Sequence, residues 1–354
     1  MNSWPRSSSI WPPERRQRWL AGCLALGICA GCSDGSDWVT QRRLAMGTWV
    51  DTIHPRLDSP ADVRLQDELE NRLQRYAIDY YAWADGELGR LNAALAQAQT
   101  FEASAELTSL LNRARELSAR SEGYFDPGVG EIVAAWGFHR GGAVQQEPPQ
   151  ALLDRWADDP PGIADLQITG NRIGSARPLV VDLGGIAKGE VVDRLLDVFT
   201  AAGVHDVLVD AGGDVRVLGS RGERNWTIGI QAPRAPAGVL GAIRLHDGEA
   251  AFTSGDYEKY FAAESGRQHH LLDPRDGRPA IHTQAVTVIA DNGALADAAA
   301  TAIFVAGPQN WRRIAAALDI AYVLRVDASG EVDMTAAMRE RVSMQADAEP
   351  ATIQ

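Results

Sequence analysis

The stretch "AVTVIADNGALADAAATAIFVAG", residues 285–307, decides how the chain is read. It opens on β-branched apolar residues, passes a polar turn with Gly293, and continues as an alanine-rich run. That is a strand, a turn and a helix. The helix looks built for packing, yet Asp297 and Thr301 stand inside it, four residues apart. Four residues is just over one helical turn, so a carboxylate and a hydroxyl share one face. Hard oxygens of this kind suit Mg²⁺ or Ca²⁺. The alternatives are a helix-start carboxylate favoured by the dipole and a core threonine bonded to the preceding turn.

Downstream, "PQNWRRIAAALD" reads as a helix and "IAYVLRV" as a strand, and residues 343–354 read as a flexible tail. Upstream to about Pro178, short strands alternate with glycine turns: "LVVDL", "VLVDAGGDVRVLG", "WTIGIQAP" and "AIRLHDGEAAFTSG". The helix "AKGEVVDRLLDVFTAAG" interrupts them. Earlier still, residues 61–95 read as one helical stretch and residues 105–125 as a helix stopped at Gly123. "FDPGVGEIVAAWGF" is a Pro-Gly turn entering a helix, residues 141–162 are a surface excursion, and "RRLAMGTWVDTIHP" is a strand. The order is mixed rather than strictly β-α-β, so the fold class is α+β.

The chain of 354 residues is 45% hydrophobic and 23% charged, with a formal net charge of −13. Nothing is basic enough to track nucleic-acid phosphates. An anionic ligand needs a local site of backbone N–H groups, a cation or a metal. Residues 1–31 read as an export signal, with basic "PPERRQRW" followed by apolar "LAGCLALGICAG". "CAGC", Cys29 to Cys32, resembles a lipobox, which makes Cys32 the lipidated residue. The protein is then expected in a bacterial cell envelope, periplasm-facing and lipid-anchored, with residues 32–45 as linker and 46–342 as the domain. All three cysteines lie in the signal region, so the mature domain has no disulfide and no thiolate chemistry.

Four further segments carry candidate chemistry. In "VVDLGGIAKGEVVDRLL" a strand ends in Asp182, Gly184 and Gly185 let the backbone approach a ligand, and a helix starts near Ala187 with Lys188 beside it. A tight turn with an exposed lysine is the alternative. "DAGGDVRVLG" reads as a hairpin turn. "FTSGDYEKYF" places Ser254, Gly255 and Asp256 in a polar turn after a strand. "HHLLDPRDGRP" offers a histidine pair as general base, against two surface histidines at a strand start.

In chain order, "AMGTW", "FDPGVGEIVAAWGF", "VDLGGIAKGEVVD", "VLVDAGGDVRVLG", "FTSGDYEKYF", "HLLDPRDGRP" and "AVTVIADNGALADAAATAIFVAG" resemble the ApbE family of FAD:protein FMN transferases, from about Met46 to Gly307. The resemblance implies largely antiparallel sheets with flanking helices and an FAD cleft between two subregions. It implies Mg²⁺-dependent transfer of FMN from FAD to a Thr or Ser hydroxyl of an acceptor flavoprotein, a subunit of a membrane redox complex, with release of AMP. FAD pyrophosphatase activity and non-catalytic FAD binding are the alternatives. The metal is expected between Asp297, Thr301 and the Ala187 carbonyl. Met46, Trp83, Asp126, Asp182, Gly184, Gly185, Lys188, Glu190, Ser254 and Gly255 match flavin- or phosphate-binding positions. His270 is the expected base, and Asp256 is expected to orient the site. Leu295 stands where the family often has an acidic residue.

Overall fold

The computed structural model describes residues 38–139, 145–345 and 352–353. Residues 1–31, read as an export signal, and Cys32 lie outside the described residues. Among the described residues, no helix is long and apolar enough to cross a membrane.

The fold is α+β, built on a nine-stranded sheet. Its strand order is Trp38–Ala45, Thr48–Pro55, Val207–Ala211, Val215–Leu218, Ala250–Gly255, Thr283–Ala290, Tyr322–Asp327, Val332–Met334 and Thr352–Ile353. All neighbours are antiparallel except the last pair. Thr283–Ala290 is buried at all eight positions. Period-2 alternation divides them: Val286, Val288 and Ala290 join one core, while Ala285 and Ile289 join another. The first core lies under helices, chiefly Gly293–Ala317, Ala187–Ala201, Ala105–Arg120 and Ser59–Asp79. The second lies under a smaller sheet of Trp226–Ala232, Ala235–Leu245 and Val342–Met344. The molecule is therefore layered as helices, large sheet and small sheet. A third, aromatic cluster joins Trp136, Phe138, Trp156 and Leu272.

Several expectations change. Trp38–Ala45 is a sheet strand rather than linker, with Trp38 set edge-on to Trp226 at 5.6 Å between ring centres. "RRLAMGTWVDTIHP" is a hairpin, not one strand, because Met46 (φ 51) and Gly47 (φ 75) both adopt the left-handed turn conformation. The 61–95 stretch is two helices, Ser59–Asp79 and Glu87–Ala96. A side chain at Gly86 would strike the Ile78 carbonyl, and Asp79 Oδ1 accepts from the Glu87 N–H at 3.1 Å. "LVVDL" is not a strand: only Val180 bridges, to Val129. The expected tail begins later, since Val342–Met344 pairs with Ala235–Leu245 instead of fraying.

Candidate functional site

The glycine loop is fixed from below. The buried Asn92 amide accepts from the Val181 N–H and donates to the Val181 carbonyl, both at 2.9 Å. It supplies the partner that a neighbouring strand would supply. Asp182 Oδ1 accepts from the Gly184 N–H at 2.7 Å, and Asp182 Oδ2 accepts from Trp83 Nε1 at 3.3 Å. Trp83 and Asp182 are thus brought together across 99 residues, and the Trp83 ring lies 4.4 Å from that of His139. A Cβ at Gly185 would come within 3.3 Å of Thr301 Oγ1 and of the Phe125 ring. Glycine there lets the loop backbone lie against the Asp297–Thr301 helix.

The helix that follows the loop crosses that helix at two glycines. A Cβ on Gly189 would collide with the Gly293 carbonyl, and one on Gly293 would sit 2.5 Å from the Gly189 oxygen. Each helix then caps the other. Asp193 accepts from the Gly293 and Ala294 N–H groups at 2.7 and 3.1 Å. Asp297 Oδ2 accepts from the Gly189 N–H at 3.0 Å. Ala187 therefore lies between Gly185, which meets Thr301, and Gly189, which meets Asp297. Thr301 Oγ1 is also 3.3 Å from Ser254 Oγ, at the end of the strand carrying Gly255.

Lys188 ion-pairs with Asp214, whose other oxygen accepts from the Thr253 N–H at 2.9 Å. Asp214 is buried and closes the "AGGD" turn. Reading that segment as a hairpin gave its shape and missed this role; a carboxylate directly after Gly-Gly was the available signal. The Met46 turn joins here too, because Thr48 Oγ1 packs directly on Gly212. Loss of water pulls the Lys188 pKa down, but the charges of Asp214, Glu258 and Asp297 outweigh it and leave it raised. Asp297 is pushed up to about 7, first by burial and against the pull of Lys188, with Asp214 and Glu258 adding repulsion.

The two histidines separate in role. His269 is buried, sits edge-on to Phe304 at 5.6 Å and bonds through Nε2 to the Ala280 carbonyl at 3.1 Å. Burial lowers its pKa to about 4. His270 is half-buried, and its Nδ1 has no hydrogen-bond partner among the described residues. Loss of water, then Lys259, His269 and Lys188, hold its pKa well below the ordinary value. It is a neutral imidazole at neutral pH, able to accept a proton.

Three expected site residues are engaged elsewhere. Both oxygens of Asp256 are taken by the Arg234 guanidinium at 2.6 Å each, a bidentate pair that ties the turn to the small sheet's hairpin. Asp126 Oδ1 accepts from the Gly128 and Ile163 N–H groups at 2.7 and 2.8 Å, and its Oδ2 from Ser118 Oγ at 2.9 Å. That carboxylate builds the turn before the Gly130–Trp136 helix. Glu190, 3% exposed, pairs with Arg113 at 3.0 Å and Arg194 at 2.8 Å, away from Lys188 on its own helix. Asp126 and Glu190, expected at ligand-binding positions, and Asp256, expected to orient the site, each spend their carboxylate oxygens on groups of the fold itself.

Among the described residues, no group of three or more His, Cys, Asp or Glu side chains is placed to hold a metal. The Asp297–Thr301 set needs no such group, because it is one carboxylate with hydroxyl and backbone oxygens. The donor types fit a hard divalent cation.

A sequence model of the ApbE family matches residues 46–324. The chain is 45% identical over 265 residues to the FAD:protein FMN transferase of Rhodobacter capsulatus, covering 75% of this chain and 50% of that protein. This chain thus spans about half the length of that relative. It is 30% identical over 316 residues to the FAD:protein FMN transferase of Vibrio cholerae, covering 88% of this chain and 94% of that one. In solved structures, the ApbE protein of Thermotoga maritima superposes with a TM-score of 0.79 at 27% identity, covering 86% of this chain and 99% of that one. The flavin transferase ApbE of Vibrio cholerae gives 0.75 at 27% identity, over 86% and 99%. Seven local motifs, the layered fold and these likenesses agree: the chain belongs to the ApbE family.

Proposed function

We propose that the chain is an FAD:protein FMN transferase, moving FMN from FAD to a Thr or Ser hydroxyl of an acceptor flavoprotein and releasing AMP. The observation that carries this is the convergence of Asp297, Thr301 and Lys188 on one glycine loop. In the proposed reaction, the acceptor oxygen bonds to the FMN phosphorus as the pyrophosphate bond to the bridging oxygen breaks. The bridging oxygen leaves with AMP, and the hydroxyl proton passes to His270. Asp297, Thr301 and the Ala187 carbonyl are the groups proposed to hold Mg²⁺, which supplies charge neutralisation at the phosphates. Of the loop N–H groups, that of Gly184 is held by Asp182 and those of Ile186 and Ala187 by the Leu183 carbonyl, so the Gly185 N–H and the Lys188 ammonium are the donors proposed to orient the anion. Trp83, joined to the loop through Asp182, is proposed to contact the flavin or adenine.

We further propose that Cys32 anchors the protein by lipid to a membrane, periplasm-facing, and that the acceptor belongs to a membrane redox complex. The support is the basic, apolar and lipobox-like order of residues 12–32.

The test is incubation of the protein with FAD, Mg²⁺ and an acceptor bearing a flavinylation threonine. A mass gain of one FMN on the acceptor, lost with EDTA and in Asp297→Ala, is expected. FMN and AMP with no labelled acceptor would instead make the protein a pyrophosphatase. Intact FAD retained on the protein would make it a binder.

A further inference from the structure

The chain has 34 cationic residues, of which only Lys188 and Lys259 are lysines; every other one is arginine. Arginines serve the fold: Arg234 holds Asp256, Arg325 holds Asp333, and Arg113 and Arg194 hold Glu190. Their planar forks suit bidentate pairing with carboxylates. The ammonium of lysine is a compact point charge instead, and it follows an oxygen whose position changes.

The two lysines, 71 positions apart in a chain of this length, act on one region. Tyr260 pairs with His269 in the hairpin Tyr260–Ala263 and Gly266–His269. One step further the His270 N–H donates to the Lys259 carbonyl at 3.1 Å, so Lys259 stands opposite His270. Directly opposed residues of an antiparallel pair project to the same face. The charges that bear on Lys259 are those of Lys188, Glu258 and Asp182, the last being the anchor of the glycine loop. Lys188 is neutralised by Asp214, whereas no carboxylate of the described residues lies within ion-pair distance of Lys259. Lys259 is thus an exposed ammonium with no ion-pair partner among the described residues, standing opposite His270 and able to take up an anion.

We propose that Lys259 is a second phosphate-binding cation of this site, reaching the pyrophosphate of FAD from the His270 side while Lys188 reaches it from the glycine loop. The proposal rests on the flavin reading above and adds a residue to it. In an acidic chain, it also places positive charge on the side from which the acceptor hydroxyl approaches.

With only two lysines, reductive ¹³C-methylation gives an NMR signal for each, apart from any free N-terminal amine; Lys259→Met assigns them. FAD with Mg²⁺ is expected to shift both signals, and riboflavin, which has the ring but no phosphate, neither. FAD affinity, measured by flavin fluorescence, is expected to fall about tenfold in Lys259→Met and to recover in Lys259→Arg. FAD that shifts Lys188 and leaves Lys259 unmoved overturns the proposal, as does Lys259→Met binding FAD within twofold of the parent. No response of the parent protein to FAD at either lysine would overturn the flavin reading itself.

Discussion

The main-chain N–H of Gly189 donates to Asp297 Oδ2 across 3.0 Å, joining the start of one helix to the second turn of another. Asp297 is thus a cap and a candidate metal ligand at once. Its carboxyl, raised to about 7, is protonated in much of the metal-free protein below that pH. A raised acid pKa contributes stability that is full at low pH and is lost as pH rises through about 7. The metal-free protein is expected to melt at a lower temperature at pH 8 than at pH 6. Mg²⁺ needs the ionised carboxylate, so its stabilisation runs the other way, larger at pH 8. Thermal melts with and without Mg²⁺ check both signs. Asp297→Asn keeps an oxygen for Gly189 and is expected to abolish the Mg²⁺ effect while folding normally; a Mg²⁺ effect unchanged in that variant would remove Asp297 from the metal site.

Gly189→Ala tests the helix crossing. The new methyl meets the Gly293 carbonyl, a backbone atom that cannot rotate away. Overpacking of a well-packed contact costs about 1–3 kcal/mol and occasionally more. Urea unfolding is expected to show a loss of at least that size. A change below about 0.5 kcal/mol, the level of an ordinary surface substitution, would mean the helices do not cross there.

What the sequence made legible was local. Asp297 and Thr301 share a helical face by spacing alone, and Gly184, Gly185 and Lys188 follow from a strand-turn-helix pattern. What it hid was partnership across long separations. Glu190 sits next to the loop in sequence but answers to Arg113, 77 residues away, and Asp256 answers to Arg234 on another sheet. A carboxylate in a polar motif looks the same whether it meets ligand or guanidinium. Asp214 was hidden for the converse reason, since its partner Lys188 lies on a helix 26 residues earlier. The outer part of the first strand was hidden by its own composition: Thr40 and Gln41 belong to an edge, where polar residues are retained.

His270 gives a pH prediction separable from that of Asp297. Its pKa lies well below the ordinary value, so the imidazole is already unprotonated throughout the neutral range. Transfer assayed from pH 6 to 8 at saturating Mg²⁺ is expected to show no ionisation assignable to His270. His270→Ala is expected to slow transfer by about 10²- to 10⁴-fold, the usual contribution of a positioned base, with FAD affinity retained. Equal losses in affinity and rate would instead make His270 a binding residue.

Asp256→Asn distinguishes an orienting residue from a reacting one. Both carboxylate oxygens are engaged by Arg234, and Arg267 lies 3.8 Å away. Asparagine keeps one acceptor and gives up the charge, and the Arg234 side chain is 45% exposed, so water softens the loss. Unfolding is expected to become easier by about 1–3 kcal/mol, as when a buried polar group loses its partner. Below the new melting temperature, the rate of FMN transfer is expected to stay within a few-fold of the parent, because no proton in transit reaches this carboxylate. A hundredfold loss of rate in a variant that melts like the parent would return Asp256 to the reacting groups and leave its pairing with Arg234 incidental.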